Sequence, residues 1–359
     1  MNINDLNILW LDLFEALTYT KKLKLLNISN NKNLREIFLT NPEIKQVISS
    51  EEFNKMSLCL HDEYLNRFLN QYKEENVECI TFNDKRYPFL LKETATPPMC
   101  LYCKGNIQLL QTTCVAIVGT RKPTEYGIVT TKQYAKALVE ADVTVVSGMA
   151  SGVDTIAHRE VIENNGKTIA VLAGGFNNIY PASNFNLFKQ ITENNLVISE
   201  YNPNVKPLSY YFPVRNRIIA GLSKGIILTE AGEKSGALHT FNYALDFNRE
   251  VFAIPGRINS PSSAGTNAII KSLQGIISLG PEDVLTSLNI QKQKNEKNSA
   301  VQLDINAQIV IDYIMAEKKT FQQILDYTHF TAKDLNAILI ELEMSGLITK
   351  LANNSYIKS

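Results

Sequence analysis

Arg121, Arg215 and Arg217 stand in or beside glycine-punctuated segments of this 359-residue chain. A guanidinium next to backbone amides is chemistry for gripping an anion rather than for breaking a bond. Arg121 lies in VAIVGTRKPTEYG, Val115 to Gly127, where an apolar run ends at Gly119 and a helix is expected from about Thr124. Gly119 and Thr120 then offer N–H groups and a helix N-terminus to whatever binds there. Arg215 and Arg217 flank Asn216 in YFPVRNRIIAGLS, Tyr210 to Ser223. Two positions apart on a helix they diverge, so they share a ligand only in a turn or helix start, which Pro213 permits. Tyr210, Tyr211 and Phe212 beside them are aromatic faces of the kind that stack on unpaired bases, although packing explains all three equally well.

Other turns extend the pattern. SGMASGVDTIAH, Ser147 to His158, contains Gly148 and places Asp154 and His158 one helical turn apart. They could be an acid–base pair, but no nucleophile of matching context accompanies them. Asp154 therefore reads as a cap for backbone donors, and His158 as part of a buried hydrogen-bond network. Ala173 to Gly175 form another glycine turn, before Tyr180-Pro181. In TEAGEKSGALHT, Thr229 to Thr240, Ser235 and Gly236 should open a helix as a donor-rich anion cradle. There His239 reads as helix packing, and Glu230 is expected to pair with an arginine. FAIPGRINSPSSAGTNAII, Phe252 to Ile270, brings Arg257 to the same rim.

The familiar nucleotide signatures fail. The GKT at 166–168 has Val161 where a P-loop needs its first glycine, and no G-x-G-x-x-G follows the first strand. Cys100 and Cys103 form a lone C-x-x-C without a second ligand pair, so neither metal nor cofactor is expected. The reading is of a binding protein, not an enzyme.

The elements that position these residues form an α/β protein. Residues 1–80 read as a helical N-terminal domain, with helical apolar spacing from Asp5 to Leu17 and an Asn30-Asn31 break. An extended stretch, Val77 to Phe82, and a proline-marked entry, Tyr87-Pro88 to Pro97-Pro98, lead into a second domain over 81–288. There, apolar runs at 115–118, 143–146, 168–172, 196–199, 226–228, 250–254 and 276–277 alternate with helical patterns. This predicts a doubly wound parallel sheet, Rossmann-like and buried on both faces, whose ligands bind at the carboxyl ends of strands. QKQKNEKNSA, Gln291 to Ala300, falls in an expected linker over 289–300. Residues 301–359 predict three helices and a hairpin turning at Asn353-Asn354, a winged-helix pattern.

Bulk composition narrows the class. Lys+Arg and Asp+Glu are 36 each, so any polyanion site must be a local concentration of charge. Five cysteines suit a reducing cytoplasm. The acids in MNINDLNILWLDLFEAL argue against a secretory signal, and no apolar run is long enough for a membrane span.

In this order, VAIVGTR, SGMASGVDTIAH, TIAVLAGG, ISEY, FPVRNRIIAGLS, TEAGEKSGALHT and FAIPG resemble the DprA/Smf family of DNA-processing proteins. The resemblance spans roughly 85–285 and is architectural at the two ends, where it implies a SAM-like N-terminal domain and a winged-helix tail. It implies an extended Rossmann fold that binds single-stranded DNA, loads the RecA recombinase on it during natural transformation, and dimerises through the central domain. Arg121, Arg215 and Arg217 are carried over as phosphate contacts, with Gly119, Thr120, Gly148, Gly175, Ser235 and Gly236 as the turns around them.

One departure stands out. Many members have a lysine directly after the Tyr-Pro, where this chain reads YPASNFNLFK, with Ala182 there and only Lys189 for charge. Binding should then be weaker, or rely on Phe185 and Phe188 for stacking. Residues 112–288 hold 15 basic and 14 acidic side chains, so affinity should rest on a few placed arginines and on avidity from dimerisation. The tail has five lysines against seven acids, and its recognition-helix stretch, Thr331 to Ser345, has one lysine against three. That predicts a protein-contact module rather than a major-groove reader. The alternatives are a Rossmann-like nucleotide sensor or hydrolase, and a ligand-controlled transcription regulator.

Overall fold

The computed structural model describes residues 2–291, 304–314, 318–345, 347–351 and 355–358. It divides into two compact units, Met1–Gln293 and Lys294–Ser359. The expected linker beyond residue 291 and the Asn353-Asn354 turn lie outside the described residues.

The first unit opens with six helices: α1 (Ile3–Asp12), α2 (Tyr19–Ser29), α3 (Leu34–Ile37), α4 (Ile44–Val47), α5 (Ser50–Ser57) and α6 (Asp62–Glu74). Helix α1 starts earlier than its apolar spacing suggested. Asn2 and Asp5 form a reciprocal capping box, and α1 ends before Leu17 because Thr18 caps α2. Then come β1 (Glu78–Thr81), α7 (Phe89–Lys92), β2 (Cys100–Gly105), β3 (Cys114–Val118), α8 (Glu125–Glu140), β4 (Thr144–Ser147), α9 (Val153–Glu163), β5 (Thr168–Leu172), α10 (Phe185–Asn194) and β6 (Leu196–Ser199). The second half runs α11 (Tyr211–Leu222), β7 (Gly225–Leu228), α12 (Ala237–Asp246), β8 (Glu250–Ala253), α13 (Ala264–Lys271), β9 (Ile276–Ile277) and α14 (Pro281–Ser287).

Among the described residues these nine strands form one sheet in the order β1-β2-β6-β5-β4-β3-β7-β8-β9. β2 runs antiparallel to β1 and to β6, and the rest of the sheet is parallel. The chain winds outward from β3 to β6, then returns past β3 to add β7, β8 and β9. The strand order therefore reverses between β3 and β7, where a crevice opens at the carboxyl ends.

Alternate strand residues serve the two faces, which is why most of the apolar runs lack a polar–apolar alternation. Ala116, Ile169, Ile198, Ile226 and Val251 face α11 and α12. Val115, Ile117, Val145, Ile227 and Phe252 face α8 and α9. The N-terminal helices share a further apolar cluster with Tyr102, Ala170, Val197 and α10. At its centre, the fully buried Trp10 donates its indole N–H to the Cys59 carbonyl at 2.8 Å. Tyr102 adds a hydroxyl bond to Asp12 at 2.8 Å. Cys100 and Cys103 fall on opposite faces of the sheet, because three residues along a strand reverse direction. Burial pushes both thiols well up. No helix among the described residues is long and apolar enough to cross a membrane.

The second unit contains α15 (Ile305–Ile314), β10 (Lys319–Thr320), α16 (Phe321–Thr328), α17 (Ala332–Met344), β11 (Ile348–Leu351) and β12 (Ser355–Lys358). Its strands pair antiparallel in the order β10-β12-β11, and Val310, Ile324, Leu335, Leu342 and Tyr356 form its core.

Candidate nucleic-acid interface

A cleft of about 830 Å³ lies at the switch point. Gly119, Thr120, Arg121 and Lys122 enter it from the end of β3, and Lys234, Ser235, Gly236 and His239 from the end of β7. Helix α11 supplies Phe212, Arg215 and Asn216. Four basic side chains line it (Arg121, Lys122, Arg215 and Lys234) against one carboxylate, Asp154. The lining is thus locally basic although the chain's net charge is zero.

The turn after β3 is fixed from outside. Thr120 donates its N–H to the Glu230 carbonyl at 2.7 Å, so this amide is spent within the fold and not offered to a ligand as the sequence suggested. Thr124 caps α8 by accepting from the Gly127 N–H. The buried Glu230 carboxylate takes the Thr124 N–H at 2.8 Å and its hydroxyl at 2.9 Å, so its expected arginine partner is replaced by Thr124. Gly152 sits at φ 80°, and a Cβ there would come within 2.4 Å of the Thr120 carbonyl, so glycine lets the next loop close on this one.

Arg215 forms the deep wall. It is 4% exposed, and its Nη1 donates to the carbonyls of Gly148 and Val171 while Nε donates to Asn216. A Cβ on Gly148 would lie 2.5 Å from Nη2, so glycine is required for this approach. Asp154 caps as expected, accepting from the N–H groups of Gly148 at 3.1 Å and Ala150 at 3.3 Å. Burial raises the Asp154 carboxyl, and the Arg215 charge opposes the rise. Burial pushes the Arg215 guanidinium down to about 10, helped by the Arg121 charge and countered by Asp154. Arg215 remains cationic at neutral pH.

Arg121 is the outer grip. It is exposed, and its guanidinium carbon lies 5.6 Å from the centroid of Phe212. Tyr180 meets the same ring edge-on at 5.4 Å and is itself 53% exposed. Cation and aromatic faces thus share one rim above the N-terminus of α12.

Asp154 and His158 do not form an acid–base pair. His158 is fully buried, and its Nδ1 lies 2.7 Å from the Thr168 hydroxyl, which itself donates to the Val145 carbonyl. Burial, aided by the Arg215 charge, pushes the imidazole down to about 3, so it is neutral.

Of the residues singled out from sequence, Gly119, Thr120, Arg121, Arg215, Ser235 and Gly236 line the cleft, and Gly148 supports Arg215 from beneath. Four others, Arg217, Gly175, Lys189 and Arg257, do not line it. Arg217 faces a separate recess, donating to the Thr96 carbonyl at 2.5 Å and pairing with Glu200. The reason is that α11 already starts at Tyr211, so residues 215 and 217 are helix interior and point apart. Gly175 packs against the Asn202 and Pro203 carbonyls. Lys189 lies exposed on α10, its ammonium 4.7 Å from the Phe185 ring. Arg257 stays off the lining, to which its segment gives Pro261 and Ser262. His239 is exposed in the cleft rather than packed. Lys122, Tyr180 and Lys234 also line it, beyond the residues the sequence pointed to.

Fold and cleft together define a doubly wound α/β protein with a cationic, aromatic-rimmed groove at its switch point. The family model described as DNA recombination-mediator protein A matches residues 78–289. The DNA processing protein DprA of Bacillus subtilis (strain 168) is 41% identical over 208 residues, which are 58% of this chain and 70% of that protein. The X-ray structure of DNA processing protein A from Streptococcus pneumoniae superposes with a TM-score of 0.67 at 33% identity, covering 80% of this chain and 98% of that one. DNA processing protein A from Helicobacter pylori, solved for its single-stranded DNA binding mode, has a TM-score of 0.54 at 31% identity, over 59% of this chain and 95% of that one. The chain belongs to the DprA/Smf family of DNA-processing proteins.

Proposed function

We propose that the switch-point cleft binds single-stranded DNA and that the protein delivers the bound strand to the RecA recombinase during natural transformation, without covalent chemistry of its own. The observation that carries this reading is the rim where Arg121 lies over Phe212 beside exposed Tyr180, with Arg215 behind it. Phosphates meet guanidinium and the helix N-terminus, and unpaired bases meet ring faces. Duplex bases are already stacked and present no free face to such a rim.

The binding unit is an extended Rossmann-like domain in this reading, and a second copy of the chain adds through it to make a homodimer. The C-terminal unit is a winged helix, with one lysine against three acids along α17, and serves a protein contact. Anisotropy with single-stranded and duplex oligonucleotides of one sequence, at two salt concentrations, tests the DNA reading. Preference for the single strand with salt-weakened binding supports it. Equal or tighter duplex binding overturns it. Acceleration of RecA filament formation on protein-coated single strands tests the delivery step.

A further inference from the structure

We infer that the DNA track continues beyond the cleft onto the exposed ring of Tyr210, a second stacking platform for an unpaired base at the start of α11. This rests on the single-strand reading of the cleft.

The first turn of α11 has two sides. Phe212 and Pro213, with Ser209 just before them, line the cleft, whereas Tyr211 and Val214 line the recess of about 200 Å³ on the other side. Tyr210 stands between and is 60% exposed. It is held without being covered. Its ring meets Tyr211 at 4.5 Å and 65°, and Tyr211 lies 4.1 Å from Tyr201. The backbone beneath is anchored by Tyr211 N–H to the Leu208 carbonyl at 2.9 Å and Tyr201 N–H to the Ser199 hydroxyl at 3.0 Å. A preorganised ring of this kind stacks on a base at low ordering cost.

Electrostatics keeps the strand on this rim. The recess beyond Tyr211 holds Asp12, Glu15 and Glu200 against Lys22 and Arg217. Lys22 is paired with Asp12 at 2.8 Å and Arg217 with Glu200, so the Glu15 carboxylate leaves the recess net negative. Phosphates are turned away from it. A strand leaving Phe212 therefore crosses the α11 start over Tyr210 instead of descending past Arg217.

The parent chain, Tyr210→Ala and Tyr210→Phe are compared by anisotropy on oligothymidylates of about four nucleotides, enough for one cleft, and about twelve, enough for both platforms. Tyr210→Ala should lose on the order of tenfold in affinity for the long strand and nothing for the short one, as one stacked base requires. Tyr210→Phe keeps the ring and should match the parent on both. Unchanged long-strand binding by Tyr210→Ala, or an equal loss on both lengths, overturns the second platform while leaving the cleft reading intact. A parent protein that binds neither length overturns the cleft reading, and this inference with it.

Discussion

The carboxylate of Glu230 bonds both the N–H and the hydroxyl of Thr124, 106 residues away in the chain, and thereby ties the end of β7 to the turn that follows β3. These segments are the two sides of the switch-point crevice. The tie keeps the N-terminus of α8 from drifting away from Arg121.

Removing that tie should loosen the cleft and destabilise the fold. Glu230→Ala removes the charged acceptor of two hydrogen bonds from Thr124, a loss of about 1.5–3 kcal/mol. Glu230→Gln keeps an acceptor for the Thr124 N–H and can donate its amide to the Thr124 hydroxyl oxygen, but loses the charge, and should fall between alanine and the parent. Denaturant melts should rank the three in that order, and oligonucleotide affinity should follow. An alanine variant as stable as the parent would mean the tie is idle.

Arg121 and Arg217 should fail in different ways. Arg121 is exposed on the cleft rim, so Arg121→Ala should weaken binding to all sequences alike and reduce the salt slope by about one. Arg217 pairs with Glu200, whose side chain is 21% exposed, so Arg217→Ala should cost stability of about 1–3 kcal/mol by leaving that partly buried carboxylate without its partner. Its salt slope should match the parent's. A flattened slope for Arg217→Ala would return this residue to the DNA path.

Much of this site was legible because strand ends announce themselves. An apolar run closing on glycine marks where a ligand can approach a parallel sheet, and the turns after β3, β4 and β7 all met at the cleft. Arg217 went wrong because Pro213 permits a helix start without fixing it, and α11 began two residues earlier. Spacing along the chain also cannot tell which glycine meets a ligand and which meets another loop, as at Gly175. His239 had a readable signal. It lies in the first turn of α12, where side chains lean toward the helix N-terminus, and that terminus faces the cleft. Tyr180 had none, since its place depends on how the segment after β5 folds back towards Phe212.

His158 should make stability fall in mild acid. Unfolded, its imidazole titrates near 6.5, whereas burial holds it down to about 3 in the folded protein. Between those values the unfolded chain binds a proton that the folded one refuses, so stability is intact above the upper value and declines towards the lower. The loss should reach about 2 kcal/mol by about pH 5. Asp154, raised by burial, acts in the opposite sense where the folded protein protonates it first. Comparing the pH dependence of Tm with that of His158→Gln isolates the histidine, and the variant should be flatter from neutrality to about pH 5. Parallel curves would show that the imidazole does not titrate across unfolding.

The edge of the sheet makes the last prediction. β9 pairs only with β8 among the described residues, and Ile276 and Ile277 on it are 43% and 46% exposed. Leu273 and Leu279 on either side are 91% and 80% exposed. Sheet edges are ordinarily blunted by charge or covered, and an apolar open edge invites another strand. If the proposed homodimer forms through the central domain, this edge is the surface that gains most by being covered. Ile277→Lys should then shift the sedimentation equilibrium towards monomer at every concentration tested. Its melting curve should stay near the parent's, because the side chain is half-exposed in a single chain. Single-strand affinity should also fall, by loss of avidity on long strands, since the named cleft residues all come from one chain. A variant that remains as dimeric as the parent would move the interface to another surface.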